Sequence, residues 1–310
     1  MKIYTTKIRE SWIIDRIKNE WAEYNKNIIS KTKYFSDIVW VIAPWSISVN
    51  KYKNFKNKKV ILSIYHIENT LSESKEIKNI LELDKYVDAY HTISQKTKLQ
   101  LEKITNKPIY FLPLWVNQNL WYYISEKENL RIKYGFSNSD YLLGSFQRDT
   151  EGSDLKSPKL VKGPDILVSI IKELNRRNKN LTVVLAGKRR NYVINELEKN
   201  YIKYKYFEMA DFSTLNELYN ILDLYIVTSR LEGGPQALVE CGLTKTPIIS
   251  TDVGIASEIL SEKSIFEYSD WPTFFNCKPD EKFAYEQSLK LTIPNGMVGY
   301  IKMFREVYES

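Results

Sequence analysis

Tyr225-Ile-Val-Thr-Ser-Arg-Leu-Glu232-Gly233-Gly234-Pro235-Gln236-Ala-Leu-Val-Glu240-Cys241-Gly242-Leu-Thr-Lys-Thr-Pro247-Ile-Ile-Ser-Thr-Asp-Val-Gly254 decides how the chain is read. It runs strand, tight loop, helix, strand, tight loop. Residues 222–227 are short, apolar and β-branched, as in a strand buried in a parallel sheet. Gly233-Gly234 allows a sharp turn and close approach to the backbone. Pro235 suits the first helical position, where its missing N–H costs nothing. A glycine loop feeding a helix start offers free N–H groups and the positive end of the helix dipole to an anion such as a diphosphate. Glu232 falls on the loop and Glu240 about two turns into the helix. The competing reading is a plain turn with two solvated glutamates. Glu240 alone favours that; the pair flanked by two strands favours a site.

Working outward, 310 residues suffice for two domains, and 43% hydrophobic content indicates a globular chain. Residues 1–10 lack the apolar region of a signal peptide, and no apolar run approaches the ~20 residues of a membrane span. The two cysteines, Cys241 and Cys277, read as buried side chains in a reducing compartment, so a cytoplasmic location is expected. The two histidines, His66 and His91, exclude a multi-histidine metal site, and no Asp-x-Asp pair occurs. The net charge of +7 points weakly to a polyanionic partner, an anionic membrane or nucleic acid. The first glycine is Gly135, so a glycine-rich phosphate cradle belongs to the second half.

Before it, strands are expected at 2–5, 38–43, 60–65, 87–93 and 109–112. Helices are expected at 11–25, capped by Ser11 with Ile13, Ile17, Trp21 and Tyr24 on one face, and at 75–84 and 95–104. Residues 51–59 hold five lysines and two aromatics. They read as a solvated loop first and a membrane-surface patch second. After a connection at 113–139, strands at 141–146, 181–186 and 204–208 alternate with helices at 164–174 and 213–221. Two helical segments end the chain. This alternation implies α/β architecture: two tandem Rossmann-like, doubly wound domains facing across a cleft. The expected divisions are 1–125, 126–290 and a C-terminal helix, 291–310, that crosses back to the first domain.

The ordered set Gly144…Arg148…Lys162-Gly163, a strand ending at Gly187, Glu232-Gly-Gly-Pro…Glu240 and Pro247-Ile-Ile-Ser-Thr-Asp-Val-Gly254…Glu258 resembles the retaining family-4 glycosyltransferases of the GT-B fold (glycosyl transferases group 1). His66, Tyr86-Val-Asp-Ala-Tyr-His-Thr-Ile-Ser94 and Leu112-Pro-Leu-Trp-Val-Asn117 extend the likeness to the first half. The resemblance implies a metal-independent enzyme without cofactor, using a nucleoside diphosphate sugar such as a UDP- or GDP-sugar. By it, Arg148 and Lys162 clamp the diphosphate, with Gly233, Gly234, Pro235 and Gln236 beside it. Glu232 binds the transferred sugar near its reacting carbon, Glu240 the ribose hydroxyls, and His66 the reacting centre. For Lys162 and His66 taken singly, surface charge and a structural histidine are the competing readings.

Two places depart from that pattern. Residues 5–9, Thr5-Thr6-Lys7-Ile8-Arg9, lack the usual glycine loop, leaving Thr6, Lys7 and Arg9 to replace its contacts. The segment Lys156-Ser-Pro-Lys-Leu-Val-Lys162 is longer than usual and is expected as a mobile rim loop. The leading reading is a retaining transferase acting on a glycan or lipid-linked acceptor in surface polysaccharide biosynthesis, in peripheral contact with an anionic membrane. A DNA-modifying glycosyltransferase and an inactive nucleotide-sugar-binding scaffold are the alternatives.

Overall fold

The computed structural model describes residues 1–6, 13–68 and 74–310. Two compact units result, Met1–Trp115 with Ile293–Ser310, and Val116–Thr292.

In the first unit, β1 (Ile3–Thr5), β2 (Ile38–Val41), β3 (Lys59–Ile64), β4 (Ala89–Thr92) and β5 (Ile109–Phe111) form a parallel sheet in that order. Helices α1 (Ile13–Tyr24), α2 (Val49–Tyr52), α3 (Lys75–Asp84) and α4 (Gln95–Leu101) cover it. Alternation along β2 sends Ile38 and Trp40 to one face, with Ile17 and Trp21 of α1. Val39 and Val41 meet Tyr52, Ile77 and Leu101 on the other. Residues 28–30 make the sheet doubly wound. The Ile3 N–H donates to the Ile28 carbonyl at 2.7 Å, and the Ser30 N–H to the Ile3 carbonyl at 2.8 Å. The chain thus pairs outside β1 before stepping over it to β2, and the winding reverses there. Ser11, Lys7, Ile8 and Arg9 lie outside the described residues. Tyr24, expected on the buried stripe, is 43% exposed.

The second unit contains β6 (Tyr141–Ser145), β7 (Thr150–Glu151), β8 (Ser157–Pro158), β9 (Leu181–Ala186), β10 (Tyr204–Phe207), β11 (Leu224–Val227), β12 (Ile248–Thr251) and β13 (Ile265–Phe266). Its main sheet is parallel, in the order β10-β9-β6-β11-β12-β13. Helices α5 (Lys127–Lys133), α6 (Pro164–Arg177), α7 (Asn191–Lys199), α8 (Phe212–Ile221), α9 (Gln236–Thr244), α10 (Ala256–Ile259) and α11 (Glu281–Lys290) complete the unit. Strand order reverses between β6 and β11, which places the switch point, the usual ligand position, at their carboxyl ends. Gly144 lies there by packing necessity, since a Cβ would come 2.2 Å from Leu222 Cδ1. The long segment before Lys162 is a folded hairpin, β7 with β8, in place of the expected loop.

The first unit ends at Trp115, ten residues before the expected boundary. Residues 116–124 are held by the second unit: the Tyr122 and Ile124 N–H groups donate to Asn216 Oδ1 at 3.0 Å and Asn220 Oδ1 at 2.7 Å. The final helix, α12 (Asn295–Glu309), packs in the first unit. Its Tyr300 ring lies 5.7 Å from Trp40 and 5.1 Å from Trp115, and Phe304 lies 5.3 Å from Trp21.

Candidate functional site

The two loops at the switch point of the second unit carry most of the residues singled out in the sequence. Arg148 follows β6 and Glu232 follows β11. Lys162 closes a short 3₁₀ turn, and Gly163 caps α6 with φ +61°. A Cβ at Gly163 would stand 1.8 Å from the Thr228 carbonyl, so only glycine lets the Lys162 turn lie against the end of β11. Thr228 Oγ1 donates to the Gly163 carbonyl at 2.8 Å. The Arg230 N–H donates to the Val161 carbonyl at 2.9 Å, and the Arg230 guanidinium holds Asp165 at 2.6 and 2.8 Å. These bonds make one frame of two loops that are distant in sequence.

Within that frame Lys162 Nζ lies 2.6 Å from Glu232 Oε1, both partly exposed. Ser229 Oγ is 2.8 Å from the same oxygen and 3.2 Å from Gln147 Oε1. Gln147 Nε2 donates to the Lys162 carbonyl at 3.0 Å. Arg148 is steadied by its Nε, which donates to the Thr150 carbonyl at 2.9 Å. Beneath it the Asp149 and Thr150 N–H groups both donate to the Arg189 carbonyl, at 3.2 and 3.1 Å. Fully buried Arg190 lies 2.8 Å from Asp149 Oδ2, and burial raises the Asp149 pKa despite that cation.

Lys159, which the sequence reading passed over, is tied to the loop after β6 by its N–H, which donates to the Asp149 carbonyl at 2.8 Å. Burial first, then the charges of Arg148 and Lys162, lower its pKa, while Glu151 and Glu232 oppose them. Lys162 is the cation in contact with Glu232, and the charges of Arg148, Lys162, Glu151 and Glu232 all reach Lys159. The spacing Lys159-Leu-Val-Lys162 was the available signal. Ser229, Gln147 and Arg190 had none, because their roles depend on contacts across 82 residues for Ser229 with Gln147 and 45 for Arg190 with Ser145.

Gly233 and Gly234 form the turn before α9. Gly254, at φ +56°, presses on it, and a Cβ there would meet the Gly233 carbonyl at 2.4 Å. Pro235 is the N-cap, with ψ 118°, so α9 begins one residue later than expected, at Gln236. Glu240 lies four residues past Gln236, about one turn into the helix, short of the two turns expected, and counting from Pro235 would add only one residue. It is 8% exposed and accepts a bond from the Tyr219 hydroxyl at 2.9 Å. Burial, then the Glu240 charge, pushes the Tyr219 pKa well above its ordinary value. His66 belongs to the first unit, two residues past β3, with Nε2 3.9 Å from Glu68 Oε1. The second unit thus brings Lys162 and Glu232 into contact, and Arg148 stands on the loop that follows β6. It seats Glu240 against Tyr219.

The model of the family described as glycosyl transferases group 1 matches residues 156–271. No curated protein matches the chain in sequence. Among solved structures, the Anabaena protein HepE in complex with UDP superposes with a TM-score of 0.76 at 12% identity, covering 100% of each chain. HepE is also known in complex with UDP-glucose. Sucrose-phosphate synthase from Thermosynechococcus elongatus gives 0.72 at 12% identity, over 98% of this chain and 81% of that one. A glycosyltransferase from Rickettsia africae gives 0.64 at 19%, over 98% and 84%. The fold is the two-domain, Rossmann-like GT-B fold. The family match lies within the second unit, and the neighbours, at 11–19% identity, share the fold.

Proposed function

We propose that the protein transfers a sugar from a nucleoside diphosphate sugar to an acceptor hydroxyl with retention of configuration. The observation that carries this reading is the Lys162–Glu232 pair at the switch point, with Arg148 and Lys159 close by. A diphosphate entering that positive group takes over the Lys162 ammonium. Glu232 is then released to accept hydrogen bonds from sugar hydroxyls. Arg148 offers phosphate oxygens a planar fork, and the first N–H groups of α9 add the helix-start contribution. Glu240, oriented by Tyr219, takes the ribose hydroxyls. To His66 the family likeness gives a sugar hydroxyl.

In the transfer, the bond from the anomeric carbon to the diphosphate oxygen breaks. The acceptor oxygen bonds to the same face, and its proton passes to the departing diphosphate. Cations fixed before the reaction stabilise the charge that grows on that oxygen. They do the work of a divalent metal, so the reading is metal-independent. By the family likeness, the acceptor is a growing surface glycan, lipid-linked, and the reaction is cytoplasmic. No helix among the described residues is long and apolar enough to cross a membrane.

The test is to incubate the protein with UDP- and GDP-sugars and a panel of glycosides in the presence of a chelator, and to read the anomeric configuration of the product by NMR. The reading expects the donor's configuration in the product. An inverted product, or a reaction that needs added divalent metal, contradicts it.

A further inference from the structure

At the amino-terminal ends of β2 and β3, two turns stand side by side. One is a 3₁₀ turn, Lys33–Phe35, directly before β2; the other, Lys53–Phe55, precedes β3. Lys58 Nζ donates to the Tyr34 carbonyl at 3.2 Å, and Lys33 Nζ lies 5.7 Å from the Phe55 ring centre. Phe55 is buried and anchors the pair of turns, whereas Tyr34 and Phe35 stand out at 75% and 81% exposure. Lys31, Lys51, Lys53 and Lys56 are exposed around them, with Lys33 and Lys58 half-buried. The carboxylates that border the patch are engaged at its margin: Asp37 accepts from the Lys2 N–H at 2.6 Å, and Asp88 from the Val60 N–H at 2.7 Å.

We infer that this face docks the first unit on an anionic lipid bilayer. Two projecting aromatics ringed by lysines match the interface, where aromatic rings settle at headgroup depth and cations meet lipid charge. Each lysine near such a surface strengthens binding about fivefold, so six of them combine into strong but salt-sensitive attachment. The patch holds no arginine between residues 31 and 59. Arginine is the preferred side chain for forked contacts to nucleic acid, so the composition favours lipid over duplex DNA. Because the sheet is parallel, the patch lies at the opposite end of β3 from His66, about 20 Å away along a six-residue strand. A bilayer held there leaves the carboxyl edge of the sheet open. The inference goes beyond the sugar-transfer reading and stands apart from it.

The experiment is co-sedimentation of the full chain with vesicles of phosphatidylcholine alone and of phosphatidylcholine mixed with phosphatidylglycerol. Binding is expected only to the mixed vesicles, and to vanish as salt rises from about 0.1 M towards about 1 M, where screening shortens from ~10 to ~3 Å. Tyr34→Ser with Phe35→Ser should weaken binding at least tenfold at unchanged melting temperature, since both side chains are exposed. Lys51→Glu with Lys53→Glu and Lys56→Glu should abolish it. Stabilisation by nucleoside diphosphates, read on the same variants, should be unaltered; its absence from wild type would count against the donor site and leave the vesicle result standing. Equal binding to neutral vesicles, indifference to both variants, or duplex DNA binding more tightly than vesicles with the same lysine dependence would overturn the inference.

Discussion

Lys162 Nζ and Glu232 Oε1 stand 2.6 Å apart although seventy residues separate them in sequence. The contact exists because β6 and β11 are neighbours and Gly163 lets the lysine turn lie on the end of β11. Each residue holds the other in position, and the proposed reading gives the lysine the donor's diphosphate and the glutamate its sugar hydroxyls.

Glu232→Ala should therefore separate chemistry from binding. Transfer should fall by two orders of magnitude or more, as when a charge-stabilising group is removed. Nucleoside diphosphate affinity should change by no more than about threefold, because Lys162 remains. Steady-state kinetics beside calorimetric binding distinguish the two; unchanged turnover would remove Glu232 from the site.

Arg148→Ala should act the other way. Loss of a charge-assisted phosphate contact costs about 1.5–3 kcal/mol, or roughly 10- to 100-fold in Kd. Arg148→Lys should recover only part of this, because an ammonium lacks the fork. A full recovery would mean that plain charge suffices.

Gly163→Ala should unfold more than it disables. Its positive φ and the 1.8 Å clash with the Thr228 carbonyl demand backbone movement. A loss of about 2–4 kcal/mol in urea denaturation is expected, with donor affinity weakened as Lys162 shifts. Wild-type stability in this variant would show that the turn is free to move.

His91 gives the first unit a built-in acid sensitivity. Trp40 Nε1 donates to Ser63 Oγ at 2.9 Å, so the Ser63 hydroxyl donates to His91 Nδ1 at 2.8 Å, and His91 Nε2 donates to the Leu112 carbonyl at 2.9 Å. Burial lowers the His91 pKa from 6.5 to about 4. The unfolded chain takes up this proton first, so the contribution is fully present above pH 6.5. It is lost as pH falls towards 4, on the order of 3 kcal/mol in all. Urea midpoints between pH 4 and 7 should show the slope, and His91→Gln should flatten it. An equal slope in the variant would assign it to other groups.

Much of this was legible before the structure. β-branched runs alternating with amphipathic helices gave the two α/β units, and Glu232-Gly-Gly-Pro marked the switch-point loop of the second. The boundary at Trp115 was not, because what binds 116–124 to the second unit is two asparagine side chains on α8, about a hundred residues away. Pro235 looked like a first helical residue from its fixed φ, but ψ decides where the helix begins, and at 118° it leaves Pro235 as the cap. Lys159 went unread because its place comes from the β7–β8 pairing, which sets its N–H on the Asp149 carbonyl, one residue from Arg148.

The most direct test is thermal unfolding of wild type and Arg148→Ala with UDP, GDP, ADP, CMP and TDP. A ligand at 100 times its Kd adds about 2.7 kcal/mol to stability, well above detection. The account predicts that one nucleoside diphosphate raises the melting temperature of wild type and that Arg148→Ala loses most of the rise. No shift from any of the five, or an equal shift in the variant, would contradict a diphosphate held at the β6–β11 switch point.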